Sequence, residues 1–198
     1  MGISGIILAG GQSIRMGQDK TLMTYNDETL VEHTIKEMKK IADEIIIASN
    51  DTNKYNLPGL VEIPDIYPGM GPLGGMHAGL LKARNEYSFV VSCDMPLFSS
   101  KLASLLLERR AEYDVVVPEM GANLEPLCAV YSKRCIEAIE KCLQADIKQV
   151  FQFYPDVRVL KVSKSELSKI GEAEKLFFNL NTPEDYQVLL HGKKQRRY

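Results

Sequence analysis

The stretch Ile3-Ser4-Gly5-Ile6-Ile7-Leu8 runs straight into Ala9-Gly10-Gly11-Gln12-Ser13-Ile14-Arg15-Met16-Gly17-Gln18-Asp19-Lys20, and this junction restricts the fold more than any other part of the chain. The first six residues have the length and β-branched content of a buried strand. A strand that empties into glycines leaves bare backbone N–H groups at the carboxyl edge of a sheet. No Cβ blocks close approach there, and aligned N–H dipoles form an anion-binding concavity. Arg15 adds a planar fork and Lys20 a mobile point charge. The simplest ligand for glycine backbone, Arg and Lys together is a polyphosphate. The spacing is not that of the P-loop, because Gly17 is followed by Gln18 rather than Lys. Nor is it G-x-G-x-x-G, which Gly10-Gly11 cannot supply. Two adjacent glycines alone would be an ordinary strand-to-helix turn. The ordered succession Arg15, Gly17, Asp19, Lys20 favours a functional loop.

From Leu30 to Ile41 the apolar residues fall at helical spacing, and Glu44 to Ser49 reads as a second buried strand through Ile45-Ile46-Ile47. Strand, helix and strand in this order predict a right-handed βαβ unit and a parallel sheet. Asn50 then leaves the second strand at the edge that carries the glycine loop, where open α/β sheets bind their ligands. Next come Asp65 and the loop Tyr67-Pro68-Gly69-Met70-Gly71-Pro72-Leu73-Gly74-Gly75. That loop is read as leading into a helix over residues 76–84 and as letting a flat ring lie against backbone. Phe89-Val90-Val91-Ser92-Cys93 is a third buried strand, ending at Asp94-Met95-Pro96. A carboxylate fixed there suits a hard divalent cation, since Mg²⁺ prefers one or two carboxylates plus phosphate oxygens and waters. A lone D-x-P is an ordinary turn, and its place opposite the first loop makes Asp94 the candidate metal ligand.

Further on, residues 101–113 read as a helix, 114–118 and 127–131 as strands, 132–143 as a helix and 157–162 as a late strand. Thr182 and Pro183 form a strong helix start. Just before it, Asn179 and Asn181 alternate with Phe178 and Leu180, which predicts a short strand with both amides on one face, able to grip a polar ligand.

The 198 residues suit one domain over 1–198. A net charge of −2 leaves no electrostatic footprint for nucleic acid. No apolar run has membrane-spanning length, and the first residues lack the basic region and long apolar core of a signal peptide. Cys93, Cys128, Cys135 and Cys142 form no C-x-x-C, so reduced core thiols in a cytoplasmic protein are expected and zinc is not.

LAGG-x-S-x-RMG-x-DK resembles the signature loop of the molybdenum cofactor guanylyltransferases, a branch of the nucleotidyltransferases. The likeness continues through Gly71-Pro72-Leu73-Gly74-Gly75, Cys93-Asp94-Met95-Pro96 and Asn179-Leu180-Asn181-Thr182-Pro183. It implies a three-layer, Rossmann-like α/β fold with a mostly parallel central sheet. It also implies transfer of GMP from GTP to the terminal phosphate of molybdopterin or Mo-molybdopterin, with pyrophosphate released. The GTP contacts it implies are Leu8, Ala9, Gly10, Gly11, Lys20, Asn50, Asp65, Gly74 and Asp94, the last also holding Mg²⁺. Asn179 and Asn181 are implied on the pterin side. Lys20, Arg15 and Asp94 are expected to carry the catalysis, and Asp65 to contact either base or ribose. Partners implied are proteins that deliver molybdopterin or mature molybdoenzymes, with no nucleic acid and no membrane. Ser92 stands where the family often has proline, and Glu125-Pro126 where some members have His-Pro. Rival readings are a cytidylyltransferase acting on the same pterin, a non-catalytic nucleotide-binding protein, and sugar-1-phosphate activation. Gly10-Gly11 argues against the first, since cytidine-using relatives tend to have Ala-Gly. Lys20 and Asp94 argue against the second, and the short chain against the third.

Overall fold

The computed structural model describes residues 2–10, 20–51, 54, 55, 57 and 59–194, with backbone alone at residue 20 and residues 192–194. Expectations for Gly11 and Arg15 therefore lie outside the described residues, as does the side chain of Lys20. In chain order the strands are β1 (Ile3–Leu8), β2 (Thr24–Tyr25), β3 (Glu28–Thr29), β4 (Glu44–Ala48), β5 (Val61–Ile63), β6 (Tyr87–Ser92), β7 (Val115–Met120), β8 (Asn123–Leu124), β9 (Cys128–Ser132) and β10 (Val159–Ser163). The helices are α1 (Leu30–Met38), α2 (Pro72–Lys82), α3 (Ser100–Leu107), α4 (Ile136–Gln144), α5 (Lys164–Leu167), α6 (Ala173–Leu176) and α7 (Pro183–Lys194).

The central sheet has the order β10-β7-β9-β6-β1-β4-β5, with β8 added to β7. β1 pairs in parallel with both β4 and β6, β4 with β5, and β7 with β10. Only β9 on that path runs against its neighbours. The mostly parallel α/β sheet expected from the βαβ pattern is thus present. β1 is buried along its whole length, as a strand covered on both faces must be.

Strand alternation sends side chains into two cores. On one face Ile3, Ile7, Ile45, Ile47, Phe89 and Val91 pack with Val31, Ile35 and Met38 of α1 and Leu102 and Leu106 of α3. On the other, Ile6, Leu8, Val90, Val115 and Tyr131 pack with Leu73, Met76 and Leu80 of α2 and Ile139 and Cys142 of α4. Helix, sheet and helix make three layers. The helical stripe read between residues 30 and 41 delivers Leu30, Val31, Ile35 and Met38 to the interior. Its start is set by a capping box between Thr29 and Glu32.

Several helix boundaries differ from expectation, among them α4, which begins at Ile136 after a 3-10 turn over Lys133–Cys135 rather than at Ser132. α2 begins at Pro72 rather than near Met76, because Gly71 adopts a φ of 61° and turns the chain, and Pro72 then opens the helix. Gly74 and Gly75 therefore lie in its first turn and not in a loop. The segment read as helical to Tyr113 leaves the α conformation after Leu107. The Tyr87 hydroxyl takes up the carbonyls of Arg110 and Tyr113 at 3.1 and 3.2 Å, which fixes a turn where a helix would have continued.

No described helix is long and apolar enough to cross a membrane. All four cysteines are free and buried. Burial raises the Cys135 thiol to about 12 and also pushes up Cys128 and Cys142, so the thiolate form that binds metals is disfavoured at these three.

Candidate active site

Parallel pairing brings four strand ends to one level. Leu8 lies opposite Ala48 and Ser92, and Ala48 lies opposite Ile63. Beyond that level the backbone stays joined: Ala9 N–H donates to Ala48 O at 3.0 Å, Ser49 N–H to Ile63 O at 2.9 Å, and Cys93 N–H to Leu8 O at 3.1 Å. Gly10, Asn50, Asp65 and Asp94 are the residues that follow. The structure therefore gathers these four candidates along one carboxyl edge. Leu8 and Ala9 are buried beneath them, so they shape the floor through backbone more than side chain.

Among the described residues, packing does not explain the glycine at position 10: a Cβ built there would meet Ala48 O alone, at 3.9 Å, an ordinary contact. The room it leaves suits a ligand approaching the backbone. Gly74 and Gly75 differ. A Cβ on Gly74 would sit 3.0 Å from Tyr67 O and 3.4 Å from Asp65 Oδ2, and one on Gly75 would sit 3.2 Å from Leu8 Cδ2 and 3.4 Å from Asp65 Oδ1. The Asp65 carboxylate thus lies over the first turn of α2, where the helix dipole favours negative charge.

Asn50 and Asp65 are joined twice: Asn50 Nδ2 donates to Asp65 Oδ2 at 2.9 Å, and Asp65 N–H donates to Asn50 Oδ1 at 3.0 Å. The amide orients the carboxylate while leaving its remaining lone pairs open to a ligand with adjacent donors.

Asp94 is held through its backbone. Its carbonyl accepts from Leu180 N–H at 2.8 Å. Its Oδ1 is buried and has no hydrogen-bond partner among the described residues. A buried carboxylate oxygen left without a partner is costly, and a hard cation or its water would satisfy it. The donor set fits Mg²⁺ better than a softer metal. No group of three or more His, Cys, Asp or Glu side chains converges among the described residues, and Mg²⁺ is usually held by one or two carboxylates with phosphate oxygens and water completing the shell.

The same Leu180–Asp94 bond brings Asn179 and Asn181 beside the edge, but not as a strand. Residues 178–181 form no strand. Leu180 and Phe178 do turn inward, with Leu180 packed against Leu30 and Leu189. Among the described residues the backbone nevertheless pairs with no strand: Leu180 N–H reaches the Asp94 carbonyl, and Phe178 N–H donates to Lys175 O at 3.4 Å. Asn179 Nδ2 donates to Phe177 O at 3.2 Å. Asn181 is exposed, and its N–H donates to Asp185 Oδ2 at 2.9 Å. The expected helix cap is present, with Asp185 N–H donating to Thr182 Oγ1 at 3.1 Å.

On the far side, Ser92 N–H donates to Leu127 O at 2.9 Å. Glu125 and Pro126 are thereby drawn to the same edge, and burial holds the Glu125 carboxyl above its ordinary range. Sequence reasoning missed Tyr55, whose hydroxyl reaches Ala9 and Thr21. An aromatic residue within the polar run of residues 49–56 was its only signal.

Residues 5–159 match the MobA-like NTP transferase domain. A probable molybdenum cofactor guanylyltransferase of Pelotomaculum thermopropionicum is 43% identical, over 92% of this chain and 89% of that protein. A second, from Carboxydothermus hydrogenoformans, is 35% identical over 93% of each. The fold matches the crystal structure of molybdopterin-guanine dinucleotide biosynthesis protein A from Archaeoglobus fulgidus with a TM-score of 0.84 and 22% identity, covering 97% of this chain and 99% of that one. With this likeness running almost end to end, the chain belongs to the MobA-like NTP transferases, within the molybdenum cofactor guanylyltransferase family.

Proposed function

We propose that this protein transfers GMP from GTP to the terminal phosphate of molybdopterin, forming molybdopterin guanine dinucleotide and pyrophosphate. The supporting observation is the meeting at one sheet edge of Gly10, the Asn50–Asp65 pair and the Asp94 oxygen that has no partner among the described residues. An oxygen of the acceptor phosphate attacks the α-phosphorus. The bond from that phosphorus to the α–β bridging oxygen breaks, and pyrophosphate leaves with the electron pair. The attacking group is already an anion, so no strong base is required. Two anions must instead be brought together, and alignment and charge stabilisation supply most of the acceleration.

In this reading the Gly10 and Gly11 amides, Arg15 and Lys20 bind the triphosphate and stabilise charge as pyrophosphate departs. Asp65, oriented by Asn50, accepts from guanine N1–H and the 2-amino group. Gly74 and Gly75 allow the first turn of α2 to lie close to that carboxylate. Asp94 would hold Mg²⁺, whose positive charge offsets that of the phosphate oxygens. Asn179 and Asn181 face the acceptor. Calorimetry of GTP against CTP and UTP, with and without Mg²⁺, tests the nucleotide half, with GTP preferred and Mg²⁺ strengthening its binding. Pyrophosphate release on adding molybdopterin tests the transfer. Preference for CTP would move the function to the cytidylyltransferases, and absence of release would leave a binding protein.

A further inference from the structure

The turn that follows Asp94 is held at both ends. At its start Leu180 N–H donates to Asp94 O at 2.8 Å, and within it Phe98 N–H donates to Met95 O at 3.1 Å. At its end the Phe98 carbonyl oxygen lies 3.1 Å from Nε2 of His33, on α1. The Phe98 ring is buried and stacked on Phe89 of β6, with centroids 5.6 Å apart, so this end of the turn is packed on the sheet. The other ring nitrogen of His33, Nδ1, lies 2.9 Å from Glu28 Oε1 on β3. Glu28 Oε2 accepts from Lys36 Nζ at 3.1 Å. The bond with His33, together with Lys36, holds the Glu28 carboxyl below its ordinary range. Glu28 is therefore only an acceptor, and so is the Phe98 carbonyl. A neutral imidazole has one N–H donor, and between two acceptors it would leave one contact repulsive. The ring satisfies both only as an imidazolium. The other carboxylates of α1 are engaged elsewhere, Glu32 with Thr29 and Glu37 with Lys40 and Ser100 N–H.

A carboxylate that holds a cation must be fixed to within about 0.5 Å, by supports that do not themselves touch the ligand. We propose that His33 is a positioning residue for Asp94: donating from both ring nitrogens, it ties the end of the 94–98 turn to α1 and β3 and so fixes the carboxylate for Mg²⁺. This rests on the reading of Asp94 as the metal ligand. The tether responds to pH. Nδ1–H faces a carboxylate and Nε2–H a neutral carbonyl, and the charge-assisted bond is the stronger. The proton that leaves is therefore the one on Nε2, and the bond to Phe98 goes with it.

The test measures GTP binding to the full-length protein by calorimetry, with and without Mg²⁺, for wild type and His33→Gln. Glutamine keeps a donor but cannot bridge two acceptors as the ring does. Near pH 6 the gain in affinity on adding Mg²⁺ falls about five- to tenfold in the variant, the size of one net hydrogen bond. Binding without Mg²⁺ stays within about twofold. As pH rises from about 6 to about 8 the gap between wild type and variant closes, because wild type loses the same bond. Titration of GTP, His77 and His191 cancels in this comparison. In an Asp94→Asn background His33→Gln has no further effect, as for residues acting through one group. Imidazole nitrogen NMR of wild type, with His33 assigned by its absence from the variant, shows the neutral ring as the Nδ1–H tautomer. Should His33→Gln melt far below wild type, Glu28→Gln carries the comparison, since it loosens the hold on the imidazolium and moves the spectroscopic step to lower pH. Equal losses with and without Mg²⁺ would mark a merely structural role and overturn the proposal. So would a gap that persists at high pH, or a neutral ring protonated on Nε2. Wild-type GTP binding that ignores Mg²⁺ refutes the metal reading itself, and it shows before His33 is altered.

Discussion

Asn50 and Asp65 face each other across the ends of two adjacent parallel strands and exchange two hydrogen bonds, one from side-chain amide to carboxylate and one from backbone N–H to side-chain carbonyl. The pair makes a fixed acceptor out of a carboxylate that would otherwise rotate freely at the surface. That carboxylate lies over the first turn of α2, where the helix dipole favours negative charge.

Replacing Asp65 with Asn removes the charge and one acceptor while keeping the shape. Hydrogen bonds to charged groups contribute about 1.5–3 kcal/mol, so GTP binding is expected to weaken roughly 10- to 150-fold. Discrimination against CTP should fall with it. Calorimetry reads both, and retained base preference would assign Asp65 to the ribose instead.

Asp94→Asn should separate stability from activity. The wild-type carboxylate carries a buried oxygen without a partner among the described residues, and a neutral amide costs less to bury than a charge. The melting temperature is expected at or above that of wild type, while turnover falls by about 10²–10³, the size of one lost preorganised contact. Lys20→Ala should lose turnover to a similar degree. Near-normal turnover in either folded variant would remove that residue from the mechanism.

Gly79→Ala tests the close packing of α2 on β1. A Cβ there would fall 2.6 Å from Ile6 Cγ2 and 3.0 Å from Ile6 Cδ1, and Ile6 is wholly buried. Overpacking costs about 1–3 kcal/mol, and alanine's helix propensity offsets at most about 1 kcal/mol of it. A lower urea midpoint with an unchanged slope is the expected outcome. A raised midpoint would show that helix and sheet can separate freely.

Glu37 joins α1 to α3. Its carboxylate is paired with Lys40 and accepts from Ser100 N–H at 2.8 Å. Burial pushes its pKa upward, but these bonds outweigh burial and hold it at about 2, against a reference of 4.5. A depressed folded-state pKa means that its stabilisation is complete above about 4.5 and is lost as pH falls toward 2. Glu37→Gln should therefore be less stable than wild type at neutral pH. The gap should narrow through that acid window in denaturant titrations, and a constant gap would show that the carboxylate's charge plays no part.

The strands that build the site were legible because β1, β4 and β6 are buried on both faces and so read as mostly apolar runs, broken inside only by Ser4, Gly5 and Ser88. Asn50 and Asp94 follow from knowing where such strands end. What escaped was set by distant contacts. β5 has three residues and an exposed Val61, too little for a pattern, yet it delivers Asp65 to the edge. The early start of α2 depended on one positive φ at Gly71. Asn179 and Asn181 kept the alternation of a strand while lacking a partner strand. Tyr55 is tied to residues 46 and 34 positions away, a relationship that no local spacing encodes.

The reversed direction of β9 has a consequence for how such a protein diversifies. A strand running with its neighbours would enter the sheet at the far end, whereas β9 enters beside the site, so residues 121–127 reach the edge as an inserted hairpin. Together with residues 177–182 they are encoded apart from Gly10, Asn50, Asp65 and Asp94. One surface can then be rebuilt by insertion or replacement while the register of β1, β4 and β6 stays untouched. In the proposed reading, which puts Asn179 and Asn181 on the acceptor side, such rebuilding would change the molecule that receives the nucleotide and leave the nucleotide contacts in place.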